Sequence, residues 1–87
     1  MKVFLNEIKQ IFDDLIEEKK SREEIAMWAS TRQTANDIDD LEFEPVIEKK
    51  KMWRAITYLM GVDLRDLDGS YLHSIENFNE FIKKIDL

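Results

Sequence analysis

DIDDLEFEPVIE, Asp37 to Glu48, is the stretch on which the fold turns. It holds six acids (Asp37, Asp39, Asp40, Glu42, Glu44 and Glu48) and no base. The formal net charge of the chain is −6, so this run carries the whole imbalance and the rest is neutral. Ile38, Leu41, Phe43, Val46 and Ile47 interleave with the acids. The segment reads as an irregular acidic connector whose carboxylates lead into the positive end of a helix. Pro45 fits the first turn of that helix, because it lacks an amide that would go unsatisfied there. The helix then turns Val46, Trp53, Ile56, Leu59 and Met60 inward, and Gly61 ends it in a left-handed cap.

Working outward, the remaining periodicity is helical as well. Phe4, Ile8, Ile11, Phe12, Leu15 and Ile16 recur at three and four, with Asp13, Asp14, Glu17 and Glu18 between or after them. Ser21 followed by Glu24 has capping-box spacing and opens a second helix with Ile25, Trp28 and Ala29 inward. That helix weakens through STRQTAND, where short polar side chains compete for backbone hydrogen bonds. Ser74 caps a fourth helix with Ile75, Phe78, Ile82 and Ile85 on one face and Phe81 beside them. The expected fold is all-α: a compact single-domain four-helix arrangement over residues 1–87.

With 87 residues there is room for one domain and none for a deep interdomain cleft. Cysteine is absent, which excludes disulfides and thiolate metal sites and fits a reducing compartment. The N-terminus does not read as a signal peptide, and the longest apolar run falls far short of the about 20 residues that span a bilayer. The expectation is a cytoplasmic protein that does not engage membranes.

GVDLRDLDGSYLHS, Gly61 to Ser74, concentrates three aspartates and the one histidine. With Gly69 at the sixth position of a calcium loop, Leu64 and Ile75 fall at the first and twelfth, where carboxylates are needed. His73 with Asp66 or Asp68 makes a poor zinc site, having one imidazole and no thiolate. Ser70 or Ser74 beside His73 lacks an orienting acid, an oxyanion pocket and elbow glycines. The loop reads as a connector in which Asp68-Gly69 turns and Tyr71 and Leu72 fold onto the core. No cofactor, metal or catalytic residue is expected, and the protein is read as a non-enzyme.

The acidic run offers the clearest surface. Asp37, Asp39, Asp40, Glu42 and Glu44 would speed encounter with a basic protein, and Leu41 and Phe43 would hold it. Lys49, Lys50, Lys51 and Arg54 follow at once. They read as internally paired or solvated, since the neighbouring acids repel phosphate and no aromatic platform is evident, so no nucleic-acid partner is expected. Trp28 and Trp53 read as core anchors.

The half from Trp53 to Ile82 resembles small uncharacterised bacterial proteins in which a Trp-containing helix leads to G-[IV]-D-L and then Y-L-H. Trp53, Gly61, Asp63, Leu64, Tyr71, Leu72 and His73 carry the resemblance. In length, acidity and helix number the chain is also similar to the immunity proteins of nuclease colicins. Those use an acidic second helix and adjacent tyrosines, whereas Tyr58 and Tyr71 are far apart here. The resulting expectation is an inhibitor of immunity type that occludes a basic partner such as a nuclease toxin. The alternative is a structural or regulatory helical module that associates with itself, as a homodimer, or with another helical protein.

Overall fold

The structure, a computed structural model, describes residues 1–87. The chain runs β1 (Lys2–Phe4), α1 (Leu5–Ile16), α2 (Arg22–Asp37), β2 (Glu42–Glu44), α3 (Lys49–Leu59) and α4 (Ile75–Lys84). A 3-10 turn, Val46–Glu48, joins β2 to α3.

The all-α expectation is corrected by β1 and β2, which pair in parallel as a two-stranded sheet beside four helices. Val3 sits opposite Phe43, flanked by the pairs Lys2–Glu42 and Phe4–Glu44. Each strand alternates, so Val3 and Phe43 point into the core while their neighbours face outward. Burying two such side chains stabilises the fold by about 1.5–3 kcal/mol each, which is enough to fix this short ladder. The α1–α2 hairpin supplies the long crossover that parallel pairing requires. The chain start is tied down too: the Met1 ammonium donates to the Asp40 carbonyl at 2.8 Å, and the Glu42 amide donates to Met1 O at 2.8 Å.

Local signals place the helices. Ser21 Oγ accepts from the Glu24 amide at 3.1 Å while Glu24 Oε1 accepts from the Ser21 amide at 3.3 Å, the reciprocal box read from the sequence. Ser74 and Asn77 repeat it at the start of α4. α2 does not weaken through STRQTAND but continues to Asp37. Its threonines explain this, because Thr31 and Thr34 hydroxyls donate back to the carbonyls of Met27 and Ser30 and compete with nothing.

Three apolar assignments shift, the first being Leu72, which is expected on the core and is exposed. Phe4 belongs to β1 rather than to the α1 stripe and is half exposed. Val46 leaves the core, at 73% exposure, because the 3-10 turn after Pro45 swings it outward. Met52 and Ala55 take the inward places with Ile56 and Leu59. α3 packs mainly on α2, and α4 closes over α1. Phe12 lies between them, with ring centroids 5.9 Å from Phe81 and 6.3 Å from Tyr58.

Gly61 is not a left-handed cap. It donates to Tyr58 O in a further turn, and a Cβ there would approach Leu64 Cδ1 to 3.3 Å. The left-handed caps are acidic instead: Glu18, Asp39 and Asp86 have φ of 57°, 56° and 57°. Each follows a helix, and the next amide reaches back to close a Schellman motif (Lys19 to Asp14 O, Asp40 to Ala35 O, Leu87 to Ile82 O). A side chain at such a φ costs about 1–2 kcal/mol, and an acid at the negative end of a helix is further disfavoured. Glu18→Gly is therefore expected to stabilise the fold by about 1 kcal/mol, even after the larger entropy of an unfolded glycine. A rise in melting temperature of about 4–8 °C is the readout. No rise would place Glu18 outside the left-handed region.

Candidate functional site

Half of the acidic run is paired within the fold. Asp40 lies 3.5 Å from the N-terminal ammonium, Glu44 pairs with Lys2 at 3.7 Å and Glu48 with Lys51 at 3.4 Å. Asp37 ends α2, Asp39 forms the left-handed cap after it, and Glu42 faces solvent from β2. Leu41 packs half-buried against the core, and Phe43 is 7% exposed with its ring edge-on to Trp53 at 6.4 Å. The carboxylates lie around the sheet, and the two apolar residues between them face inward.

The cations sort differently. Lys2, Lys19, Lys20, Arg32, Lys51 and Arg65 each pair with a carboxylate. Arg22 is spent on structure: its guanidinium donates to the carbonyls of Val62 and His73 and lies over the rings of Tyr71 and Phe78. Lys49, Lys50 and Arg54 are exposed and enter no ion pair. On α3, Lys50, Trp53, Arg54 and Thr57 recur at three and four and form one stripe, opposite the buried Met52, Ala55, Ile56 and Leu59.

This stripe runs between two open hollows. One, of about 440 Å³, is lined by Asn36, Phe43, Lys49, Lys50 and Trp53. The other, of about 450 Å³, is lined by Trp53, Arg54, Thr57, Tyr58 and Phe81. Trp53 is the wall they share. Lys49 Nζ is 5.6 Å from the Phe43 ring centroid, and Tyr58 stacks on Phe81 at 3.9 Å. An aromatic platform therefore does accompany the bases, contrary to the sequence reading. Its rings come from β2 and α4 as well as from α3. The Tyr58 hydroxyl is buried without a hydrogen-bond partner, and burial pushes its pKa up.

The Gly61–Ser74 loop forms a small hairpin, bridged between Arg65 and Tyr71. His73 lies on the Tyr58 ring at 5.4 Å. Asp68 accepts from the Ser70 hydroxyl and amide, which lowers its pKa. Tyr71 donates to Glu23 at 2.8 Å, and Arg65 joins them. The Tyr71 hydrogen bond, with the Arg65 charge, holds the Glu23 carboxyl below its ordinary 4.5; the same hydrogen bond to Glu23 raises the Tyr71 phenol, against the Arg65 charge. A depressed carboxylate contributes stability that is full above its unfolded pKa and lost as pH falls through the folded value. Acidification from about pH 5 to about pH 3 is thus expected to lower the protection factors of this loop's amides, the ratio of intrinsic to observed exchange at each pH. Glu23→Gln should remove most of that pH dependence. Equal pH dependence in the variant would assign the effect to another carboxylate.

The chain belongs to the YxzC family, whose model, described as YxzC DNA-binding protein, matches residues 3–85. It is 32% identical over 80 residues to the uncharacterized protein YxzC of Bacillus subtilis (strain 168). That match covers 92% of this chain and 57% of the relative, so the chain spans little more than half of the relative's length. No solved structure matches. The placement among small bacterial proteins holds at this level, whereas the likeness to colicin immunity proteins finds no support. The family description also overturns two sequence expectations, the inhibitor of a basic protein and the exclusion of nucleic acid. No helix is long and apolar enough to cross a membrane.

Proposed function

We propose that this chain is a non-enzymatic DNA-binding protein that contacts phosphates through Lys49, Lys50 and Arg54 on the outer face of α3. One observation carries the reading: these three cations stand unpaired together on α3 beside the ring of Trp53. Lys2, Lys19, Lys20, Arg32, Lys51 and Arg65 are instead neutralised by carboxylates, and the other unpaired lysines, Lys9 on α1 and Lys83 and Lys84 on α4, line neither hollow. The family description supports it, and of the two sequence-based readings it favours the regulatory module. A second support is energetic. Three lysines open α3 with no acid in its first turn, although the positive end of a helix disfavours cations. Helix stability does not account for that choice, whereas a phosphate contact does.

The net charge of −6 opposes binding at long range, but ionic screening confines that repulsion to about 8–10 Å at ordinary salt. Contact is then decided by the local stripe. A cytoplasmic location fits a DNA target.

The test is fluorescence anisotropy with labelled DNA across a salt series. Three phosphate contacts should give a log–log slope of about −2 to −3, far shallower than that of strongly basic DNA binders. Over a fourfold rise in salt this is a loss of about sixteenfold to sixtyfold. An affinity indifferent to salt would overturn the proposal.

A further inference from the structure

We infer that Trp53 is a stacking platform for unpaired bases, so that the DNA taken by this face is single-stranded. The inference rests on the DNA-binding reading and goes beyond it in the form of DNA chosen. Trp53 is half-buried, held edge-on by Phe43, and stands between Lys50 and Arg54 at helical spacings of three and one. A hollow with an aromatic wall opens on each side of it, Phe43 lining one and Tyr58 with Phe81 lining the other. Each hollow carries at least one unpaired cation: Lys49 and Lys50 in the first, Arg54 in the second.

Single strands are held by cations that track the backbone and by aromatic faces on which successive bases stack. A duplex keeps its bases stacked on one another, so their faces are closed to Trp53, and its grooves are read through polar contacts to base edges. Beside the cations and the ring, the face provides as neutral polar side chains only Thr57 on α3 and Asn36 at the margin of the first hollow, too few to read a groove. Its chemistry matches base faces and phosphates rather than base edges. The charges fit as well, with unpaired cations facing a polyanion across a surface whose apolar content is aromatic.

The experiment uses the full chain carrying Trp28→Phe, which leaves Trp53 as the one tryptophan. Trp28 lies under Arg32 at 4.3 Å, on α2, and lines neither hollow. Short oligothymidylate and a duplex of equal nucleotide count are titrated at low salt, following anisotropy of the DNA and emission of Trp53. The expected result is tighter binding of the single strand, with Trp53 emission quenched as the complex forms. Trp53→Leu, which keeps an apolar side chain under Lys50 but removes the π-face, should weaken single-strand binding about tenfold to a hundredfold. Its salt slope should stay that of the parent, since no cation is lost. Trp53→Phe, which retains a ring, should recover part of the affinity and control for folding. Duplex binding as tight as single-strand binding, or a complex that leaves Trp53 emission unchanged, would overturn the stacking role while the DNA-binding reading stood. Failure of both DNAs to bind would overturn the two together.

Discussion

Reversing the three charges, Lys49→Glu, Lys50→Glu and Arg54→Glu together, is expected to abolish measurable DNA binding without lowering the stability of the fold. Each phosphate contact contributes about 0.7–0.9 to the salt slope, so single neutral variants should flatten it in steps of that size. The triple variant goes further, because three carboxylates would then face the phosphates and convert attraction into repulsion. Stability should move the other way. Lys49 and Lys50 lie in the first turn of α3, where a carboxylate in place of a cation gains about 0.3–1 kcal/mol from the helix dipole. The unfolding midpoint is therefore expected to stay level or rise while affinity disappears, a separation that a merely misfolded variant cannot mimic. Lys9→Glu, Lys83→Glu and Lys84→Glu together are the matched control, since they reverse the same number of exposed, unpaired charges on α1 and α4. If that control weakened binding as much as the α3 triple variant, the effect would be one of net charge and the α3 cations would lose their role.

What the sequence reveals here divides along the range of the interactions. The capping box at Ser21, the cap at Ser74 and the apolar spacing from Ile8 to Leu15 are local, and the structure follows them. The sheet is invisible locally, because Lys2–Phe4 and Glu42–Glu44 are each three residues long, too short for alternation to stand out. Only the meeting of Val3 with Phe43 makes either of them a strand. The same pairing misleads the reading of the acids. Asp40 and Glu44 seem free in the sequence because their partners, the Met1 ammonium and Lys2, arrive from the far end of the chain. KKKMWR was legible as a basic cluster, but its meaning was not. Of its four cations only Lys51 pairs with a carboxylate, and the rings beside the others come from Phe43 and Phe81. A surface assembled from β2, α3 and α4 has no signature in any one window.

Phe12→Ala is expected to remove a large part of the stability of the fold. Phe12 is 1% exposed, and its ring is stacked near both Phe81 and Tyr58, so one side chain joins α1 to α3 and α4. Truncating a buried phenylalanine costs about 3–5 kcal/mol, the loss of transfer energy adding to a cavity that neighbours fill only in part. A domain of this size holds roughly 5–10 kcal/mol in all, so the substitution removes a third or more of the margin. Denaturant unfolding followed by circular dichroism should show a midpoint far below that of the parent at a similar slope. The consequence reaches the α3 face, because Tyr58 and Phe81 lean on Phe12 from beneath the second hollow. Phe12→Leu leaves most of the volume and should cost much less, while the Tyr58–Phe81 stack, at 3.9 Å, stays supported. DNA affinity in the folded fraction should therefore fall for the alanine variant and hold for the leucine variant. A parent-like midpoint for Phe12→Ala would mean that α4 is not seated on α1 through this ring, and the floor of the second hollow would have to be drawn differently.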